Sequence, residues 1–344
     1  MILPRIIFLV FYVISFSIQA QSDFKRQEKG TKNVLLIAVD DLNDWTGFLN
    51  QHPQAVTPHM DALASRGTSF SNAHCQAPIC GPSRASLFTG LYPHRTGIYG
   101  QYRMKDYDRY MEGKKEIIHL PDWFKNSGYR TIAVGKITHG SASAYFDVDH
   151  GRFDGFGPKP TERFSYDPSW FPEKFGGTQT DWGAFPDRDS KMPDHKIANV
   201  AISELSEDQS APFFLAVGFM RPHVPWYVPK AWLEKFPSDS IQLPPWKTND
   251  LDDIPEAGIS VNTTPQMPTT KWAQSTQQWK MAVRAYLASV HFVDYQIGRV
   301  LKALNESQFR DNTIIVLFSI MGIIWVKKIA FLSTPCGIDP LRFL

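Results

Sequence analysis

Four short apolar runs punctuate the chain, each stopping where polar or small residues begin. Asn33 to Val39 reads Asn-Val-Leu-Leu-Ile-Ala-Val and ends at two acids. A continuous apolar run of this length, with no polar alternation, predicts a strand buried on both faces of a parallel sheet. Thr131 to Val134, Pro212 to Gly218 and Thr313 to Phe318 repeat the pattern. Between the runs, apolar positions recur at helical spacing over Pro58–Arg66, Ser83–Phe88, Ile118–Ser127 and, longest of all, Gln277–Leu304. Strands alternating with helices predict an α/β architecture, a mostly parallel central sheet flanked by helices. Residues 140–210 and 236–276 are rich in Pro, Gly, Asp and Trp without a period. They predict long loops over the carboxyl edge of the sheet, where such folds carry recognition. No internal repeat is present.

Composition narrows the picture. The 344 residues are 43% hydrophobic with a formal net charge of +2, enough for one large domain and balanced enough to argue against a nucleic-acid binder. Met1 to Ala20 has the form of a secretory signal: Arg5, an apolar run from Ile6 to Ile18, then Ala20 before a cleavage point. The run is too short for a stable membrane anchor, so a periplasmic or secreted protein of residues 21 onward is expected. With only Cys75, Cys80 and Cys336, no disulfide framework is implied. Asn262-Thr263-Thr264 and Asn305-Glu306-Ser307 match the glycosylation acceptor pattern, which also arises often by chance.

The chemistry concentrates at Cys80-Gly81-Pro82-Ser83-Arg84-Ala85-Ser86-Leu87-Phe88-Thr89-Gly90. Pro82 suits a first helical turn, Ser83 and Ser86 a polar helix start, and Gly90 a stop. A cysteine there faces the unpaired N–H groups and positive end of a helix, and Arg84 adds a charge able to pair with an oxyanion. Taken alone, the cysteine reads first as a buried structural residue ahead of an ordinary capped helix, and only the full string reverses that preference. Asp40-Asp41 close the first strand, where paired acids serve as hard-cation ligands or as solvated loop residues. Gly135-Lys136-Ile137-Thr138-His139-Gly140 follows the second strand. Arg221-Pro222-His223-Val224-Pro225 follows the third and holds a histidine between prolines.

The Cys-x-Pro-Ser-Arg-x-Ser-Leu-x-Thr-Gly string resembles the signature of type I sulfatases, whose cysteine is converted to formylglycine. Val39-Asp40-Asp41-Leu42-Asn43-Asp44-Trp45 resembles the opening of the iduronate-2-sulfatase-like branch, and Gly-Lys-x-x-His and Pro-His-x-Pro extend the match to residue 318. The resemblance implies an alkaline-phosphatase-like α/β sandwich. It implies a metal site from Asp40, Asp41 and the residue at Cys80, holding Ca2+ in preference to Mg2+. The geminal hydroxyls of hydrated formylglycine would supply a nucleophile that clears itself after transfer. Lys136 would clamp the sulfate, with Arg84 beside it. His139 would take the geminal hydroxyl's proton and His223 would assist the leaving alcohol. Asp44, His74, His94, Arg95, His150 and Arg221 are further candidates for substrate contacts. The implied partners are a sulfated saccharide and a formylglycine-generating or anaerobic sulfatase-maturating enzyme.

The resemblance breaks after Ser319. Family members continue with Asp-His-Gly or Asp-Asn-Gly, which completes the calcium site, and with a C-terminal subdomain. Here Ile320-Met321-Gly322-Ile323-Ile324-Trp325 follows. Reading those codons one base earlier forces glycine at the Met321–Gly322 and Trp325–Val326 junctions and permits Asp-His-Gly-x-x-Leu-Gly-Glu-Lys. A one-base deletion near the Ser319 codon is therefore expected, ahead of the competing reading of a genuine short variant with a recruited C-terminus; it makes 21–319 an incomplete catalytic domain and 320–344 an out-of-frame tail with little activity left. Two other functions fit the same residues: a phosphate or phosphonate ester hydrolase of the same fold, and a non-catalytic binder of sulfated glycans.

Overall fold

In the computed structural model of the chain, the four apolar runs lie side by side as parallel strands. The structure describes residues 30–102, 104–114, 116–167, 180–246, 252–256, 268–322, 324–325 and 331–332. The expected signal segment, the acceptor pattern at Asn262, and Cys336 with most of the tail lie outside them. Asn33–Leu344 forms one unit. Its central sheet combines β1 (Asn33–Asp41), β2 (Arg130–Gly135), β3 (Val148–Asp149), β5 (Phe213–Phe219) and β7 (Thr313–Gly322) in the order β3-β2-β5-β1-β7. All four pairings are parallel. β4 (Trp182–Ala184) and β6 (Trp226–Val228) form a small parallel pair, and β8 (Ile324–Trp325) pairs antiparallel with β9 (Phe331–Leu332).

The helices are α1 (Pro58–Ser65), α2 (Cys80–Thr89), α3 (Pro93–Thr96), α4 (Met104–Met111), α5 (Leu120–Asn126), α6 (Pro193–Ser206), α7 (Lys230–Leu233), α8 (Thr270–Ser275) and α9 (Gln278–Glu306). Alternation along the strands sends side chains to two cores. Leu35, Ile37, Val134, Leu215 and Val217 meet α6 and α9 on one face, whereas Leu36, Ala133, Phe214 and Ala216 meet Phe88 of α2 and Phe124 of α5 on the other. Burial on both faces is why these strands carry unbroken apolar runs.

Two expectations need correction. The stretch 140–210 is not all loop, because α6 occupies Pro193–Ser206. Its buried Ile197, Ala198, Ala201 and Leu205 lie at helical spacing, but small alanines weaken the signal. The fourth strand does not stop at Phe318. β7 runs on to Gly322, with Ile320 and Met321 each 2% exposed. Opposite β1, Val39 faces Ser319 but Asp41 faces Gly322, so β7 carries one extra residue there.

Candidate active site

The carboxyl ends of β1, β2, β5 and β7 converge on the start of α2. Crossover connections in a parallel sheet bring successive strand ends to one edge, which gathers residues distant in sequence. Asp40 and Asp41 end β1, Lys136 and His139 follow β2, His223 follows β5, and Cys80 opens α2.

Asp40 is wholly buried between two cations. Arg84 donates from Nη2 to Asp40 Oδ1 at 3.0 Å, and Lys136 Nζ donates to Asp40 Oδ2. Burial pushes this carboxyl up, but Lys136 and then Arg84 outweigh it and hold it well below the usual carboxylate range. The other guanidinium nitrogen of Arg84 donates to the carbonyls of Lys136 and Ile137, the latter at 2.9 Å. In these contacts Arg84 is a buried staple joining α2, β1 and the loop after β2. Lys136 likewise points at Asp40, its ammonium 5.5 Å from the centre of the Phe156 ring.

Asp41 has a different environment. Its backbone is left-handed, at φ 61°, and both carboxylate oxygens are buried without a hydrogen-bond partner. His223 Nε2 lies 3.8 Å from Oδ2. Burial raises the Asp41 carboxyl to about 7. His223 is raised too: burial lowers it, and the Asp41 charge more than offsets that. The imidazole is oriented by contact between Nδ1 and the Val224 carbonyl at 2.7 Å and by the Phe156 ring, whose centroid is 5.0 Å away.

Cys80 lies 2% exposed in the first turn of α2. Burial pushes its thiol up, but Lys136 and side-chain hydrogen bonds with His139 and His223 bring it down to about 4. Gln101 Nε2 lies 2.9 Å from Sγ, while its Oε1 accepts the Gly81 N–H at 2.9 Å. His139 is fixed by contact between Nδ1 and the Tyr102 carbonyl at 2.9 Å. The arrangement places a nucleophilic position at a helix start, between two imidazoles and near an ammonium. That is equipment for transfer of an acidic group from an ester.

The structure thus brings together Cys80, Arg84, Lys136, His139, His223, Asp40 and Asp41. The further candidates do not join them in the same way. His74, His94 and Arg95 are exposed, His94 stacking on Tyr92. His150 pairs with Glu204 at 2.6 Å. Asp44 lies in the turn after β1, its carbonyl accepting from Thr46. Arg221 is buried and bonds the carbonyls of Tyr227 and Phe156 at 3.1 and 3.2 Å, so it holds the loop that carries His223. Gln101, Phe156 and Tyr286 are participants that sequence reasoning missed. Tyr286 donates to the Asp41 carbonyl at 2.8 Å and accepts from the Asn43 N–H at 2.9 Å. In the sequence it reads as one more apolar position of a long helix, and Gln101 carries no spacing signal at all.

The residues present do not fit a hard divalent cation. Asp40 has both oxygens occupied, and the strand beside it offers Ile320 and Met321, which pack with Cys80 and Ala38. Among the described residues, no group of at least three His, Cys, Asp or Glu side chains is arranged to hold a metal ion.

A parallel α/β sheet with this constellation at its carboxyl edge is the architecture of an ester hydrolase of the sulfatase type. The Sulfatase family model matches residues 32–319, and the chain belongs to that family. It is 45% identical over 316 residues to a sulfatase of Formosa agariphila, covering 89% of this chain and 62% of the relative. It is 31% identical over 322 residues to iduronate 2-sulfatase of Homo sapiens, covering 84% of this chain and 54% of that protein. The chain therefore spans less than two thirds of these relatives. A phosphonate monoester hydrolase of Agrobacterium radiobacter superposes with a TM-score of 0.66 at 18% identity, over 91% of this chain and 66% of that one. That likeness speaks for the fold.

Proposed function

We propose that this chain derives from an exported hydrolase that removes sulfate from sulfated saccharides, with formylglycine made from Cys80 as nucleophile. One observation carries the reading: Cys80 opens α2 at the sheet edge where the segments carrying Lys136, His139 and His223 gather. The similarity to iduronate 2-sulfatase supports a sugar sulfate as the substrate class. A maturating enzyme would act on Cys80 before catalysis. In the hydrated form, one geminal hydroxyl oxygen bonds to sulfur as the ester oxygen leaves. Loss of the proton from the second hydroxyl then expels sulfate and regenerates the aldehyde. His223 would protonate the departing alcohol and His139 would take the geminal proton.

The family typically uses calcium as well. We assign that requirement to the in-frame product and the apolar Ile320–Trp325 stretch to a one-base frameshift. The test is to re-read codons 317–323 and to compare sulfate release by this chain with release by the frame-restored gene product. Restored Asp-His-Gly coding, with turnover at least ~100-fold above this chain and abolished by Cys80→Ala, supports the reading; that margin is the typical weight of one oriented catalytic group. Equal turnover of phosphate and sulfate monoesters by the restored product would overturn the sulfate assignment. An intact frame would overturn the lesion.

A further inference from the structure

At the carboxyl end of β1, Asp40 is fully paired without an ion. Asp40 spends Oδ1 on Arg84 and Oδ2 on Lys136. The neighbouring strand is closed as well, since Ser83 Oγ donates to the Ile320 carbonyl at 2.6 Å and Ser319 Oγ donates to the Met321 carbonyl at 2.6 Å. Ile320 and Met321 bring hydrocarbon and thioether to this end and share one buried apolar cluster with Ala38 and Cys80. What remains is the Asp41 carboxylate, with His223 3.8 Å away. Calcium takes six to eight oxygens and magnesium an octahedron, and a thioether is a poor partner for either.

We infer that Arg84 and Lys136 act in this chain as built-in counter-cations that replace a divalent metal. The chain folds and persists without Ca2+ or Mg2+, and no hard cation binds at Asp40-Asp41. This departs from what the family resemblance implies for the same two aspartates, and it holds whatever the substrate. It also assigns Lys136 a structural partner in place of a bound anion. The extra residue of β7 that faces the end of β1 has the same effect, because it sets apolar strand where further oxygens would have to come.

Two measurements on the purified chain decide it. Calorimetric titration with CaCl2 and MgCl2 into EDTA-stripped protein is expected to give no saturable heat, and thermal unfolding is expected to be the same with excess EDTA or excess Ca2+. One-to-one binding that disappears in Asp41→Asn, or a midpoint that rises with Ca2+ and saturates, would overturn the inference. The second is a double-mutant cycle in urea with Asp40→Asn, Lys136→Met and the pair. The two substitutions are expected to be coupled by at least tenfold in the unfolding equilibrium, and independent effects would overturn the counter-cation role. Were the single variants too unstable to handle, the cation titration of the unmodified chain still separates the two outcomes. Neither measurement uses sulfate release, so failure here is distinguishable from failure of the proposed activity.

Discussion

Gly135 shows how narrowly the site is built. It has φ +84°, and a Cβ added there would lie 2.2 Å from the Gly218 carbonyl oxygen. Gly135→Ala should therefore both strain the backbone and push β2 from β5 just before Lys136, at a cost of about 1–3 kcal/mol for the strained backbone alone. Urea denaturation measures it, and a loss below ~0.5 kcal/mol would contradict the close approach. Asp194 does comparable work for His223. Its buried Oδ1 accepts the N–H groups of Met220 and Arg221 at 2.5 and 3.2 Å, where β5 hands over to the His223 loop. Asp194→Ala leaves those donors and the buried Arg221 uncompensated, and should cost about 3–5 kcal/mol. Asp194→Asn, which keeps an acceptor, should cost clearly less in the same denaturation series. The residues named by motif at the sheet edge were legible because the chemistry needs those side-chain types. Their actual contacts were not, since a local string does not show that Arg84 and Lys136 would both turn to Asp40.

At the level of elements, Asp294 joins two helices. From within α9 it accepts the N–H groups of His59 and Met60 at 3.2 and 2.8 Å, satisfying the first turn of α1. Burial raises its carboxyl to about 7 from 3.8. The folded chain thus holds this proton more tightly than the unfolded chain does. The group's contribution to stability is fully present below 3.8 and declines as pH rises towards 7. Asp294→Asn should flatten that part of the profile, as read from urea midpoints at about pH 5 and about pH 8, and an unchanged slope would refute the assignment. The four main strands and the long helix were readable because continuous apolar runs and helical spacing are strong signals. α6 was not, because its buried face mixes Ile197 and Leu205 with two small alanines and the acids Asp194 and Glu204, and the β7 extension was not, because Ile320 and Met321 looked like the start of unrelated sequence.

For the molecule as a whole, the exposed margin of the sheet sets behaviour in solution. β7 is its outermost strand, pairing only with β1 among the described residues, and Ile314 and Val316 are 51% and 41% exposed. An uncovered apolar edge strand is a template for pairing with another chain. Light scattering should show association that grows with protein concentration. Replacing Ile314 and Val316 with lysine should suppress it with little change in the unfolding midpoint. A monodisperse unmodified chain at high concentration would count against this view.

The staple formed by Asp40, Arg84 and Lys136 ties β1, α2 and the loop after β2 through groups that are at most 1% exposed. Folding therefore draws on three side chains that motif membership alone would assign to the chemistry. In a library of random substitutions, changes at these positions would deplete the soluble pool and feed cellular proteolysis before any catalytic defect is scored, whereas changes at partly exposed His139 would leave protein abundance near normal. Protein yield and turnover would sort the site into two classes of residue, the inverse of what motif membership alone suggests.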